Sequence, residues 1–207
     1  MNLVKAFLLL LVYLISANLT GQTYSIKVGL VGANTNFVSD NNKGSRKYNL
    51  GTLVGAMANF KISDMLSVET GVDFVMKGNR FKLGSINVNN YWQYLDVPVS
   101  LKYNIEMSDN LEVFFKGGLY GGVGLCGINI SGTEGNRELE TIDWGNDASE
   151  NQLKRLDFGV LYGGGVEVDR FQIGASYNLG LANISTYTEN GNKLRNRYIQ
   201  LSVGFAF

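Results

Sequence analysis

Apolar and polar side chains alternate with a period of two in eight successive segments of this chain, and no useful stretch beyond residue 21 shows helical periodicity. In 24–34, Tyr24, Ile26, Val28 and Leu30 share one face, and Ser25, Lys27 and Gly29 the other. A second strand is expected over 49–62. From Leu66, the face of Leu66, Val68, Val72, Phe74 and Met76 is opposed by Ser67, Glu69, Gly71, Asp73 and Lys77. The fourth strand, 90–105, sets Tyr91, Leu95, Val97, Val99, Leu101 and Tyr103 against Trp92, Tyr94, Asp96, Pro98, Ser100 and Lys102. In the fifth, 111–125, Leu111, Val113, Phe115, Leu119 and Val123 oppose Glu112, Lys116, Gly118 and Gly122. The sixth, 155–168, carries Asp157, Gly159, Gly163, Gly165 and Glu167 on its polar side, and 171–183 and 197–207 complete the set.

The connections alternate in length as regularly as the faces do. Short turns are expected at "SDM", "MSDN" and "DR", and long loops at 35–48, 78–89, 126–154 and 184–196. With up-and-down order every short turn falls at one end and every long loop at the other. An even strand number with that asymmetry is the pattern of a bacterial outer-membrane barrel, whose short turns are periplasmic.

Residues 1–21 are set apart from the fold. Lys5 precedes an unbroken apolar run from Ala6 to Ile15, followed by small and polar residues, which reads as a secretory signal peptide cleaved before Gln22. The run is shorter than the roughly 20 residues a membrane helix needs. The remainder, 22–207, shows no linker or composition break and reads as one domain. Without Lys5 it carries 17 Lys+Arg against 18 Asp+Glu, so no net charge draws it to nucleic acid. One cysteine, Cys126, excludes an internal disulfide framework, and the absence of histidine excludes Ser-His-Asp hydrolysis and His-ligated zinc.

Period two alone does not say which face points outward, since a secreted ligand-binding barrel with an apolar interior alternates in the same way. Three features favour apolar-out. The polar face is rich in glycine, which suits a cramped interior. Tyr24, Tyr91, Tyr103, Tyr177, Phe205 and Phe207 stand near strand ends, as interfacial aromatics do. The strands are also long enough to cross hydrocarbon at a tilt. The expected fold is therefore all-β: an eight-stranded antiparallel up-and-down transmembrane β-barrel. Its lumen would hold Lys27, Glu69, Asp73, Lys77, Asp96, Lys102, Glu112, Lys116, Asp157 and Glu167. Unpaired burial of such charges costs several kcal/mol, so a cross-linked polar core is expected; the alternative is a narrow gated pore. Pro98 is expected to face this lumen toward the periplasmic half, near a bulge, with Asp96 paired to a lysine such as Lys77 or Lys116.

Other features are weighed and set aside. "GGVGLCG" and "YGGGVEV" neither open a helix nor end in Gly-Lys-Ser/Thr, so no nucleotide site is expected. Cys126 reads as a small buried or loop-base residue, with no histidine to activate it. Segment 133–151 gathers Glu134, Glu138, Glu140, Asp143, Asp147 and Glu150 without the spacing of a calcium loop, and reads as a solvated outer loop. Trp144 within it is the candidate for ligand contact. The last strand, with Ile199, Leu201, Val203, Phe205 and the terminal Phe207, has the form of a signal read by the barrel-assembly machinery through strand addition.

"YLDVPVSLKYNI" resembles the "YLEIP…LKY" segment of PorT-like outer-membrane β-barrel proteins of Bacteroidota, and "VETGVDFVMKG" resembles the strand before it. "FFKGGLYGGVG", "LDFGVLYGGGVEV" and "RYIQLSVGFAF" follow in the family's order, so the resemblance spans 24–207. It implies outer-membrane residence, and one member type assists a secretion system. The expected protein is a non-enzymatic, monomeric barrel, without cofactor or metal, with a plugged lumen and a structural or binding role through its outer loops. Outer-membrane lipid and the assembly machinery are its expected partners. A small-solute channel and an accessory barrel of a protein secretion complex are the alternatives, with a membrane-embedded enzyme behind them.

Overall fold

The computed structural model describes residues 22–39, 42–45, 47–133 and 136–207. The expected signal peptide and Glu134 lie outside the described residues. Ten strands follow in order: β1 (Gln22–Ser39), β2 (Asn42–Ser45), β3 (Asn49–Lys61), β4 (Leu66–Leu83), β5 (Ile86–Ser108), β6 (Leu111–Thr133), β7 (Asn136–Thr141), β8 (Leu156–Val168), β9 (Phe171–Gly180) and β10 (Lys193–Ala206). Eight of them form the ring β1-β3-β4-β5-β6-β8-β9-β10, each antiparallel to its neighbours, while β2 and β7 only extend β1 and β6 into hairpins. The ring closes where β1 pairs with β10 from Ser25 opposite Ala206 to Val38 opposite Lys193. Closure pairs both edges of the sheet, which an open sheet would leave as unpaired N–H and C=O groups.

The short turns are built by local chemistry. At 62–65 the Leu66 amide donates to Ser63 Oγ at 3.1 Å. Between β8 and β9 Asp169 adopts φ 52°, a left-handed conformation that a short polar side chain tolerates.

At the other end the structure departs from the expected long loops. β4 and β5 run on to a two-residue turn at Gly84 and Ser85 with no loop at 78–89, and β1 and β6 likewise continue into hairpins with β2 and β7. The ladders persist because each strand keeps its partner in register. The hydropathy alternation fades there because Asn, Lys and Arg replace the apolar residues, and so the sequence reads as loop. Part of the acidic segment 133–151 is therefore strand, with Glu138 and Glu140 on β7. Irregular chain is left to 142–155 and 181–192, the latter holding a short 3₁₀ turn at Glu189–Gly191.

Burial alternates along the ring strands, and through their middle the exposed residues are the apolar ones. Val28 is 57% exposed, Leu119 62% and Leu201 58%, with Val54, Leu101, Phe158 and Ile173 equally bare. A continuous apolar belt of this kind is untenable in water and is the surface that hydrocarbon covers. Tyr24, Tyr103, Phe115, Phe171, Phe205 and Phe207 ring the short-turn end of the belt, and Phe171 packs on Phe205 at 5.2 Å between centroids. Among the described residues no helix is long and apolar enough to cross a membrane; the crossing is made by strands.

Pro98 faces the lumen, buried between Asp96 and Ser100. Its strand partners on β4 are missing from the ladder, which resumes on either side in the same register, Thr70 opposite Val99 and Asp73 opposite Asp96. The fault is thus a gap and not a bulge. The nearby bulge lies on the other edge of β5, where Gln93 and Tyr94 face Cys126 and Gly124 and leave Leu125 over. Pro98 stands near the middle of β5, whose outer end runs on into the hairpin with β4. A proline withholds one donor without shifting register, and Thr70 Oγ1 fills the gap by donating to the Pro98 carbonyl at 2.8 Å.

Candidate functional site: the lumen and its loop cap

Inward positions of five ring strands bring nine of the ten expected lumen charges into contact. Lys27 on β1 meets Asp73 on β4 at 2.9 Å, Lys116 on β6 meets Glu69 on β4 at 2.7 Å, and Lys102 on β5 meets Glu167 on β8 at 2.5 Å. Lys77 on β4 bonds two carboxylates, Asp96 at 2.8 Å and Asp157 at 2.9 Å. Glu112 forms no ion pair among the described residues; it lies near the short-turn mouth, opposite Glu106 and Glu167.

Five carboxylates and four lysines leave one negative charge over, and the surplus sits at Lys77. Neutral donors share it: Tyr198 Oη donates to Asp96 at 2.8 Å, and Asn196 Nδ2 and Tyr120 Oη donate to Asp157 at 2.9 and 3.4 Å. Three aromatic faces also surround the Lys77 ammonium, with centroids at 4.4 Å (Tyr94), 4.7 Å (Tyr120) and 5.0 Å (Tyr198). Ring quadrupoles attract a desolvated cation, so the cage and the carboxylates act in the same direction. Gly122 makes the arrangement possible, because a β-carbon there would collide with the Asp96 carboxylate. The tyrosine cage was not singled out from the sequence. Its signal was the placing of Tyr94, Tyr120 and Tyr198 on the polar side of their strands, among the charges.

Above this hub the lumen turns apolar. Val31, Leu53, Val75 and Trp92 from the strands pack with Ile142, Leu153 and Ile184 from the two irregular segments, which fold back over the barrel mouth. Leu153 is bridged to both Trp144 and Ser185, and Lys154 donates its amide to the Ile184 carbonyl at 2.9 Å, tying the two segments together. Trp144 meets Tyr94 edge-on at 5.5 Å and lies against Gly124, where a β-carbon would strike the indole. The indole thus faces into the barrel mouth, while its margin borders an outer groove of about 500 Å³ with Cys126, Asp143, Glu150 and Arg155.

Cys126 is exposed, not buried, at the base of the β6–β7 hairpin, and its thiol donates to Gln93 Oε1 at 3.0 Å. In the irregular segment the Ser149 amide and hydroxyl both donate to Asp147, at 3.0 and 2.8 Å, and hold its carboxyl below the usual aspartate range. Along β10, Ile199, Leu201, Val203, Phe205 and the terminal Phe207 all point outward, and the Phe207 amide donates to the Tyr24 carbonyl at 2.9 Å.

A second feature lay in segments that read as loops. The outward faces of the β4–β5 and β6–β7 hairpins, with Lys47, enclose a cavity of about 550 Å³ lined by Lys47, Arg80, Lys82 and Arg137.

The chain is similar to several solved barrels. The attachment invasion locus protein Ail of Yersinia pestis is 14% identical, with 91% of this chain and 100% of that chain covered at a TM-score of 0.44. Neisserial surface protein A is 15% identical over 90% and 99%, also at 0.44. The N-terminal β-barrel domain of Pseudomonas aeruginosa OprF is 10% identical over 88% and 97%, at 0.35. No curated protein matches the chain. The family description "Outer membrane protein beta-barrel domain" matches residues 20–186. A closed eight-stranded ring, an apolar belt around it, charges turned inward and this match over most of the sequence make the chain a member of the outer membrane protein beta-barrel domain family, resident in the outer membrane.

Proposed function

We propose that this barrel is a non-enzymatic, non-conducting outer-membrane protein with a plugged lumen, which acts through the surfaces its outer hairpins and loop cap present. The lumen carries the reading. The space beside Lys27, Glu69, Asp73 and Lys116 amounts to about 10 Å³, room for no more than about one water, and the loop cap lies over the mouth above it. The ion pairs that fill it are cross-strand locks, since each joins residues that would be costly to bury alone.

Planar-bilayer recording on the full mature chain tests the reading, with folding verified by the gel shift between unboiled and boiled protein. No discrete conductance is expected. Discrete steps that vanish in Asp73→Ala or Lys102→Ala would overturn it in favour of a small-solute channel. The narrower kinship with PorT-like barrels of Bacteroidota is supported by the five segments quoted above, and an accessory role in a secretion complex is what that kinship would imply. Loss of cargo export on deletion of the gene, restored by the wild-type chain, tests that role.

A further inference from the structure

The basic cavity on the outer hairpins has no part in the lumen. Its cations stand on the outward face, the same face that carries the apolar belt lower down. On β4 the outward positions run Phe74, Met76, Gly78, Arg80, Lys82; on β5 they run Leu95, Gln93, Tyr91, Asn89, Asn87. On β6 and β7 the pairs Ile128–Thr141, Ile130–Leu139 and Gly132–Arg137 continue the series. The β4 row thus passes from apolar to cationic, the β5 row from apolar through Tyr91 to amides, and the β7 row ends on Arg137, as the surface leaves the hydrocarbon at the long-loop end. In barrels of this class that end is outside.

Lys47, Arg80, Lys82 and Arg137 are all exposed, and none has a side-chain hydrogen bond or ion pair among the described residues. No carboxylate is among the described residues that line the cavity. Their backbone, in contrast, is fixed: Lys47 and Arg80 exchange amide-to-carbonyl bonds at 2.9 and 3.1 Å. Four cations, three on strands and Lys47 on an isolated bridge to Arg80, stand around one 550 Å³ space with Asn87 and Asn89 as further polar groups, and repel one another unless an anion enters.

We infer that this cavity binds the phosphate-bearing headgroup of an outer-leaflet glycolipid, whose acyl chains lie on the apolar belt directly below. Arg80 and Arg137 supply fork-shaped donors suited to phosphate oxygens, and Lys47 and Lys82 supply point charges. The adjoining Tyr91 and Ile130 meet the region where headgroup gives way to chain. A free anion would satisfy the cations but would make no use of the belt beneath them. The inference rests on the reading that the barrel works through its outer surface, yet the two fail separately: a conducting barrel would sink that reading and leave the headgroup site intact.

The test uses the mature chain in neutral detergent at low salt, titrated with diphosphorylated lipid A, the same lipid dephosphorylated, and inorganic pyrophosphate. The proteins are wild type, Arg80→Gln/Lys82→Gln/Arg137→Gln, and a control with Lys61→Gln/Arg170→Gln at the short-turn end. Each cation near an anionic surface contributes about a fivefold factor, so the triple variant is expected to bind the diphosphorylated lipid about a hundredfold more weakly. The control is expected to bind as wild type does, and the heat-dependent gel shift establishes that all three barrels fold. Equal affinity of the triple variant, equal affinity for the dephosphorylated lipid, or pyrophosphate binding as tight as the lipid would each overturn the assignment.

Discussion

Lys77 and Asp157, eighty residues apart in the chain, meet at 2.9 Å inside the barrel, with Asp96 on the other side of the same ammonium. Removing the cation leaves two buried carboxylates facing each other with only hydroxyl and amide donors. Lys77→Met should therefore destabilise the folded barrel by about 3–5 kcal/mol, read as a lower urea midpoint in detergent. Adding Asp96→Asn and Asp157→Asn to Lys77→Met should recover much of the loss. If the single variant unfolds at the wild-type midpoint, the lysine is not the hub of the lumen.

Trp144 depends on the bare backbone of Gly124. Gly124→Ala should push the indole off Tyr94 and loosen the cap, at an overpacking cost of about 1–3 kcal/mol. In a Trp92→Phe background, where Trp144 is the remaining tryptophan, its emission should shift to the red and become more accessible to acrylamide. Unchanged emission and quenching would show that the cap does not depend on this contact.

Thr70 Oγ1 completes the ladder that Pro98 interrupts. Thr70→Val should cost about 1 kcal/mol, because it strips the Pro98 carbonyl of its hydroxyl donor. Pro98→Ala returns a backbone N–H to the gap, and the cost of Thr70→Val should shrink in that background. Additive effects of the two substitutions would argue against their coupling.

The closing strand should matter more for assembly than for stability. Phe205→Ala with Phe207→Ala removes two exposed aromatics from the short-turn rim but no lumen contact. The double variant should accumulate unfolded in the periplasm while refolding normally in detergent. Wild-type levels in the outer membrane would remove the assembly role of the last strand.

Asp147 gives the outer loop a pH dependence. Its carboxyl is held below the usual range by Ser149, so these bonds stabilise the loop above the ordinary aspartate value of about 3.9 and are lost as pH falls through the lower folded value. The Ser149 amide resonance should move only in that acid range, and the step should disappear in Asp147→Ala.

Sequence alone determined the faces of the barrel. Which side of each strand points inward follows from a period of two, and period two is a property of neighbouring residues; hence alternation by itself sets Asp96 and Pro98 beside Ser100 and Lys102. The turn ends were equally legible, because a strand that reverses in two to four residues leaves polar, flexible residues in a row. Tertiary structure decided the rest. Register between strands is non-local, so no pattern within β4 says that Lys77 reaches Asp157 on β8, or that Glu112 forms no ion pair among the described residues. The hairpin extensions escaped because backbone pairing continues beyond the membrane, where side chains need no longer be apolar. The return of Ile142, Trp144, Leu153 and Ile184 over the mouth was hidden for the converse reason: a few apolar residues in irregular chain carry no period, and only the unfilled top of the lumen gives them a place to go.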